Sequence, residues 1–401
     1  MSNRVPLLIL LATLASACAP SLAQRETAAR PAMDALRASK FVDARKAAQE
    51  VIKQDGSNPY ARVVDAVTRY RETIHNLVTD LGSLAAGMFV SHAISDGMLR
   101  FALEGADKEL AAVDDDLAKA AAFPELAFDL CLACWEVDWN RDGRIDDRDR
   151  HILEIEVDAQ GGQLADGDPR RRPTFHFDHG DVLWARAMVA FQRAAMNIVT
   201  AYAWGDVNPT ALINGRGSFT IRLDHPVRMV EARRLLMLGL DMADGCRKAY
   251  LAETDDEREW LPNPRQKNHP MPLPVDDELY RTWELLVGDL RRLVNGEEGL
   301  SVVELAQLGD HQWENPPQGF LDLGGMLAKP KDITLDMTAI EGRHYDLEKR
   351  PEPLLRDVFG SAYRTTMKPS PIIGRLSRMK KEVEHGKESA ERKLRYLLWL
   401  N

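Results

Sequence analysis

The sequence predicts a mainly α-helical fold, a repeat-like array of antiparallel helices with a short β-hairpin as a minor element. Apolar residues such as Leu110, Val113 and Leu117 recur at spacings of three and four, which places them on one face of a helix. Hydrophobic residues make up 45% of the chain and charged residues 28%, which is ordinary for a globular protein. A length of 401 residues suffices for two or three domains or for one extended array.

The segment from Ala28 to Asn58 predicts two short helices joined by a turn. The first is expected to end near Ser39, and the second to run from Val42 to Gln54. Small residues at close-packing positions, Phe41 at the turn and a final Asn-Pro pair make this unit similar to a tetratricopeptide repeat. A single helical hairpin remains the alternative interpretation, because no second copy is evident at a period of 34 residues.

Further helices are predicted downstream, separated by polar or proline-rich segments. The run from Asp114 to Asp116 is interpreted as a solvated helix face. The segment 309–374 has little periodicity and is expected to be mostly irregular. The expected helical ranges are 58–81, 83–122 with breaks near Gly87 and Gly105, 182–203, 227–252, 276–294, 300–308 and 376–400.

An internal similarity predicts the β-hairpin. Residues Thr174 to His179 match residues Thr220 to His225, and each stretch alternates apolar and polar residues before closing in Asp-His. Two short strands that pair with each other are the simplest interpretation. Asp178 and Asp224 would then each cap the helix that follows.

Twelve residues, Asp138 to Asp149, carry the clearest functional pattern in the chain. Gly143 stands at position 6, where the backbone must turn sharply, and Ile145 at position 8 is the apolar residue expected to anchor the loop to a core. Calcium takes six to eight oxygen ligands, and this spacing wraps oxygens around one point. The candidate ligands at positions 1, 3, 5, 7, 9 and 12 are Asp138, Asn140, Asp142, Arg144 through its carbonyl, Asp146 and Asp149.

This pattern resembles the EF-hand calcium loop, and most closely the dockerin type, which also ends in Asp. The resemblance implies bound Ca²⁺, a helix that enters the loop and a helix that leaves it. The entering helix is expected to begin at Phe123, and the leaving segment to begin at Arg148. Cohesin-type binding is not implied, because there is no second loop of this pattern. The expected inner-face residues are Leu126, Leu130, Ala133 and Val137 before the loop, and Ile152, Leu153 and Ile155 after it.

Cys131 and Cys134 have the spacing of a redox pair or of half a zinc site. A redox pair is expected directly after a strand, whereas these two cysteines fall inside the predicted entering helix. A structural disulfide or two buried thiols is therefore the favoured interpretation. Cys246 is distant in sequence and offers no second pair.

A second metal-like cluster consists of His176, Asp178, His179 and Asp181. It is similar to the H-x-H-x-D-H motif of metallo-β-lactamase-like hydrolases, but Thr174 stands where the first histidine belongs. Helix capping accounts for both aspartates without a metal. A hydrolytic site that uses His176, Asp178 and His179 is kept as the alternative to a protein without catalytic function.

The N-terminus predicts export. Arg4 precedes an apolar run from Val5 to Leu14, which has the form of a signal peptide and is too short to span a bilayer. The segment from Leu14 to Cys18 resembles a bacterial lipobox, so Cys18 is the expected lipidation site. Ala19 rather than Asp after the cysteine resembles outer-membrane sorting. Cleavage after Ala23, which would release a secreted protein, is the alternative.

Five regions are expected: a lipoprotein signal peptide (1–17), an N-terminal helical region (18–122), a calcium unit (123–157), a helical domain with short strands (158–308) and an irregular region ending in a helix (309–401). A net charge of −10 argues against nucleic-acid binding. The predicted function is a calcium-binding lipoprotein of the bacterial envelope that presents helices to protein partners. It would lie on the periplasmic face of the outer membrane, held only by its lipid, or free in the periplasm. The alternative is an envelope metal-dependent hydrolase.

Overall fold

A computed structural model describes residues 19–91, 95–139, 142–158, 162–205, 218–270, 275–309, 315–336 and 352–385. The predicted mainly α-helical class is confirmed, with small antiparallel sheets between the helices. Cys18 and the expected signal peptide lie outside the described residues. Within those ranges, no helix combines the length and apolar character that a membrane crossing requires.

The elements are named in chain order. The helices are α1 (Leu22–Arg37), α2 (Phe41–Gln54), α3 (Pro59–Ser91), α4 (Asp96–Ala120), α5 (Asp147–Arg150), α6 (His179–Thr200), α7 (Pro226–Ala252), α8 (Asp277–Asn295), α9 (Val302–Leu308), α10 (Leu323–Ala328), α11 (Glu352–Phe359) and α12 (Ile372–His385). The strands are β1 (Phe128–Leu130), β2 (Phe175–Phe177), β3 (Tyr202–Ala203), β4 (Ser218–Leu223), β5 (Leu300–Ser301), β6 (Phe320–Leu321), β7 (Ile333–Asp336) and β8 (Tyr363–Arg364).

Helices α1 to α4 form the first part of the array, and each packs on the next along the chain. Helix α1 ends at Arg37, two residues before the predicted end near Ser39. Helix α2 agrees with the predicted range of Val42 to Gln54 to within one residue. The expected breaks near Gly87 and Gly105 are wrong, because α3 and α4 run through both positions. A single glycine lowers helix propensity by about 1 kcal/mol, which a long packed face outweighs. The main core joins Leu36, Val64, Leu110, Val113, Leu117, Leu126 and their neighbours.

The expectation of a solvated face from Asp114 to Asp116 is wrong for two of its three residues. Asp116 is 4% exposed and pairs with Arg62 of α3. Asp114 pairs with Arg186 of α6 at 2.9 Å. Burial raises the pKa of Asp116 to about 6, although its hydrogen bond with Arg62 opposes the shift. Acidic residues on α4 therefore join it to its two neighbours in the array.

Helices α6, α7 and α8 form the second part, in which α7 packs against both of the others. Gly239 of α7 lies where an added Cβ would come within 2.5 Å of the Phe191 ring of α6, so the two helices approach closely at this point. The start of α6 agrees with prediction in one detail: Asp178 is its N-cap and forms a capping box with Asp181. Asp224 does not cap α7, whose N-cap is His225.

The predicted β-hairpin is wrong, because the two similar stretches lie in different sheets. Strand β2 pairs with β1, whereas β4 lies between β3 and β7. The pairing of β1 with β2 aligns Phe128 with Phe177, and their rings stack with centroids 5.8 Å apart. Sequence similarity between two strands reflects similar local geometry, and the choice of partner is decided by cross-strand packing.

The C-terminal region contains more regular structure than its proline and glycine content predicts. Its described part contains strands β6, β7 and β8 and helices α10, α11 and α12, and β6 pairs with both β8 and the earlier strand β5. Buried Asp289 of α8 pairs with Arg292 and with Arg375 of α12, so an ion pair joins the last described helix to the array. The part of the predicted final helix beyond His385 lies outside the described residues.

Candidate calcium loop and buried carboxyl cluster

The segment that enters the candidate loop is not the predicted helix. It contains strand β1 and then a single 3-10 turn from Leu132 to Cys134. The four residues expected on the inner face are nevertheless all buried, at 1–7% exposure. Their spacing of four, three and four suits a helix, but only Leu130 lies in β1, and the other three are buried in the turns and extended segments beside it. The residues are Leu126, Leu130, Ala133 and Val137.

The segment that leaves the loop is also shorter than an EF-hand helix. Helix α5 makes one turn, and a 3-10 turn from His151 to Leu153 follows it. Ile155 is 1% exposed as expected, but Ile152 is 44% exposed. The expected anchoring role of Ile145 is wrong, because this side chain is 36% exposed. The loop is thus held by residues other than its central apolar one.

Hydrogen bonds from the backbone shape the loop itself. Gly143 has a φ of +85°, a value that favours glycine, so the sharp turn falls at the expected position. The Gly143 amide donates to Oδ2 of Asp138 at 2.9 Å, and the Arg144 amide donates to Oδ1 of Asp142 at 2.9 Å. The side chain at position 1 therefore fixes the turn at position 6.

Asp149 closes the loop from its other end. Its side chain is 4% exposed and accepts the Trp139 amide at 2.8 Å and the Asp146 amide at 3.1 Å. Oδ1 of Asp138 is buried and accepts no hydrogen bond from the described groups. A buried carboxylate oxygen without a donor costs free energy unless a cation or a water compensates it.

The structure places the candidate ligands on one loop without completing a site. Asn140, at position 3, lies outside the described residues. Among the described residues, no three acidic, histidine or cysteine side chains converge in a way that could hold a metal ion. The donor set is nonetheless of the hard oxygen type that calcium prefers, and Oδ1 of Asp138 has no donor within the described part of the chain. These residues fit a calcium ion by chemistry.

Glu154 organises the polar side chains behind the loop. Its side chain is 4% exposed and accepts from Arg171, Arg172 and His151 at 2.7–2.8 Å. Burial would raise the pKa of Glu154, but the hydrogen bonds with His151 and Arg172 and the charge of Arg171 together lower it. Arg171 and Arg172 thus supply counter-ions to this carboxylate, a role that sequence alone did not reveal.

Cys131 and Cys134 are bonded to each other, as the favoured interpretation allowed. They do not lie inside a helix, because Cys131 directly follows β1 and Cys134 ends the 3-10 turn. Cys134 is exposed and Cys131 is partly exposed. Cys246 is a fully buried free thiol in α7, and burial raises its pKa well above the ordinary value.

The alternative hydrolytic cluster is divided between different partners. His176 faces Asp129 of β1, with Nδ1 and Oδ1 2.9 Å apart, and Asp129 also pairs with Arg258. Asp178 is occupied with helix capping. His176, Asp178 and His179 are not among any metal-binding group in the described part of the chain. Burial would raise the pKa of Asp129, but His176 and Arg258 together lower it.

A buried carboxyl cluster lies at the start of α6. Asp181 accepts the Tyr250 hydroxyl at 2.6 Å through one oxygen and the Asp178 amide at 2.8 Å through the other. Gly180 makes this possible, because a Cβ there would come within 2.7 Å of the Tyr250 ring. Burial and the neighbouring charge of Asp178 raise the pKa of Asp181 well above its ordinary value.

Two glutamates after α7 complete this cluster. Burial and a hydrogen bond with Asp178 raise the pKa of Glu253 to about 10. Burial and a hydrogen bond with Asp255 raise the pKa of Glu259 to about 8, and Glu259 is 2% exposed. A pKa raised this far keeps Glu253 protonated at neutral pH. The nearby Arg265 guanidinium donates instead to the main-chain carbonyls of Leu251 and Glu253.

Sequence reasoning missed Glu253 and Glu259, because nothing in their spacing distinguishes them from surface glutamates. No protein-family model, curated protein or solved structure matches this chain. Any function assigned to it therefore depends on its own residues and their geometry.

Proposed function

We propose that this protein is a calcium-binding lipoprotein of the bacterial envelope whose helical array serves as a scaffold for protein partners. The observation that carries the calcium assignment is Asp138. One of its oxygens accepts the Gly143 amide and so shapes the turn, while its other oxygen is buried and has no donor among the described residues. A cation at that oxygen would compensate the buried charge.

The ion would link the two ends of the loop. Asp138 lies at the start and Asp149 at the end, and Asp149 already bonds the backbone at both ends. Asp142, Asp146, the Arg144 carbonyl and Asn140 would supply further oxygens. A ligand that binds the folded state and not the unfolded chain stabilises the fold by mass action. Calcium would therefore act as a stabilising link between the segment that follows β1 and helix α5.

Calcium is expected to raise the melting temperature of the protein, whereas magnesium should leave it unchanged. At a hundred times the dissociation constant the stabilisation is about 2.7 kcal/mol, which corresponds to a rise of about 5 °C. Scanning calorimetry in EDTA, in millimolar calcium and in millimolar magnesium measures this rise. Isothermal titration calorimetry then gives the stoichiometry, which should be one ion per chain.

A matched pair of variants separates the calcium ligand from the loop's structure. Asp138→Asn keeps an acceptor for the Gly143 amide but removes the charge, so its melting temperature in EDTA should stay near that of the original protein while the calcium-dependent rise disappears. Asp147→Asn makes the same charge change on a side chain that is 84% exposed, and the rise should remain. An equal calcium response in both variants, or none in the original protein, would show that the loop is only an acidic turn.

The membrane anchor is the second part of the proposal. Helix α1 begins at Leu22, four residues after Cys18, so a lipid on Cys18 would hold the array close to the bilayer. In a diderm bacterial host, the full chain should incorporate a labelled fatty acid and partition into the outer-membrane fraction. Cys18→Ser should lose both the label and the membrane association. If Cys18→Ser stays in the membrane fraction, the lipid anchor is wrong.

The protein partner is the third part. Met98 and Phe101, three residues apart on α4, are 54% and 80% exposed, which gives the array an apolar contact surface. A photoreactive amino acid at position 101 should form one dominant protein adduct in cells. The same amino acid at exposed position 257, in an acidic part of the chain, should not form it. Equal adducts at both positions would count against a partner on α4.

A further inference from the structure

We propose that the Cys131–Cys134 disulfide is a redox-active site that undergoes thiol-disulfide exchange with an external dithiol. The sequence argued against this role, because the pair fell inside a predicted helix. The structure removes that objection, since Cys131 follows directly on β1 and the pair lies in a short turn. The inference does not depend on calcium binding.

The chain around the disulfide is held in place by contacts that do not need the disulfide. On one side β1 pairs with β2. On the other side the Glu136 amide donates to the Ser39 hydroxyl at 2.9 Å, and the Trp135 ring packs edge-on against Phe41 at 5.5 Å. Ala133, between the two cysteines, is 7% exposed. Opening the bond should therefore leave the fold intact.

A disulfide this short contributes little to stability. In the chain-entropy model a bridge that closes about four residues stabilises the fold by about 2 kcal/mol, against about 4.7 kcal/mol for a loop of 100 residues. The contacts that flank the pair already restrict the segment. A purely structural role therefore accounts poorly for a bridge at this position.

Access to the two sulfur atoms is unequal. Cys134 is exposed, whereas Cys131 is partly covered and its Sγ lies 3.5 Å from the Arg172 carbonyl oxygen. A thiolate must approach along the line of the sulfur-sulfur bond, so we infer that it attacks Sγ of Cys134, the more exposed of the two residues. Cys246 is fully buried in α7, so this third thiol does not compete.

The Cys131–Cys134 disulfide exchanges with the external dithiol in two steps. A thiolate of the external dithiol attacks Sγ of Cys134, the bond to Cys131 breaks, and Cys131 leaves with the electron pair and takes up a proton. The Cys131 thiol can then donate to the Arg172 carbonyl. The second thiolate of the dithiol then attacks the dithiol's first sulfur, which is bonded to Cys134 in the mixed disulfide. This step forms the disulfide of the dithiol and releases Cys134 as a thiolate, which is protonated. The protein disulfide gains two electrons, and the dithiol becomes a disulfide.

The first test uses glutathione buffers of defined ratio on the detergent-solubilised full chain without denaturant. Thiols are trapped with a maleimide, and labelled peptides are identified by mass spectrometry. We expect Cys131 and Cys134 to become labelled together as reduced glutathione increases, while Cys246 stays unlabelled and the circular dichroism spectrum is unchanged. Structural disulfides resist reduction by glutathione. Labelling that requires denaturant, or that accompanies loss of the fold, would overturn the proposal.

A second test assigns the attacked sulfur. In Cys131→Ser the exposed Cys134 remains, and in Cys134→Ser the partly covered Cys131 remains. We expect the first variant to form a mixed disulfide with oxidised glutathione at least about tenfold faster than the second, because access controls the rate. Equal or reversed rates would contradict the assignment of Cys134. Melting curves of both variants establish that the comparison is between folded proteins.

Discussion

The free energy of unfolding is expected to increase by at least about 2 kcal/mol when the pH is lowered from 7 to 5. The cause is the carboxyl cluster at the start of α6. Glu253 and Glu259 have pKa values raised to about 10 and about 8, and that of Asp181 is raised as well. The folded protein therefore holds protons that the unfolded chain has already released above pH 4.5. Each such group lowers stability as the pH rises from its unfolded pKa toward its folded pKa.

The expected magnitude is smaller than the full pKa shifts would give. One carboxyl with a raised pKa changes the free energy of unfolding by about 1.4 kcal/mol per pH unit. Glu253 is partly exposed, so solvent screening reduces its share. Below about pH 4.5 the trend should reverse, because carboxylates with lowered pKa values, such as Glu154 and Glu298, begin to lose their charge.

Urea unfolding between pH 5 and pH 8 measures this dependence, and two variants locate its source. Glu253→Gln replaces the protonated carboxyl by an amide that can still donate to Asp178, so it should stabilise the protein at pH 8 and flatten the profile. Glu257→Gln, on an exposed neighbour in the same segment, should leave the profile unchanged. A stability that is constant or increases from pH 5 to pH 8 would show that the cluster is ionised in the folded state.

Glu154→Gln is expected to lower the free energy of unfolding by about 3 kcal/mol at pH 7. The substitution preserves shape but removes the charge that faces Arg171, whose side chain is 7% exposed. Arg172 and His151 lose the same partner. A buried guanidinium without its counter-ion retains the cost of desolvation and loses the attraction that offsets it.

The loss of stability in Glu154→Gln is also expected to depend on pH. The pKa of Glu154 is lowered in the folded state, so its contribution is present above the unfolded value of about 4.5 and is lost as the pH falls through the folded value. The variant and the original protein should therefore converge in stability as the pH falls below 4.5. Asp147→Asn, which affects an exposed pair with Arg150, should change stability by less than about 0.5 kcal/mol. An equal loss of unfolding free energy in both variants would show that the Glu154 ion pairs contribute no more than an exposed pair.

The long helices were predictable, because periodic apolar faces fix them locally. The entering segment of the loop shows where that reasoning fails. Leu126, Leu130 and Val137 are buried as predicted, yet the backbone is a strand and a turn. Burial is set by which side chains are apolar, whereas the backbone form depends on β2, whose position 47 residues downstream no local pattern reveals. Asp129 and His176 are the residues aligned across that interval.

The candidate site was predictable in part for the same reason. The turn at Gly143 follows from local chemistry and lies where the pattern places it. The role of Glu154 depends on Arg171 and Arg172, which reach it from another segment. The raised pKa of Glu253 depends on burial in the tertiary structure. A sequence that contains 62 acidic residues does not show which of their carboxyl groups become buried.

The pairing of β1 with β2 also bears on the order in which the protein folds. Helices α1 to α4 are close in sequence and pack on their neighbours, so their contacts need little loop closure. Strand pairing must first bring Phe128 and Phe177 together. Closing the intervening loop costs entropy, so the two strands are expected to pair only after α6 has a surface on which to dock. The candidate loop between these strands is therefore expected to form late, so a calcium ion bound there should slow unfolding more than it accelerates folding.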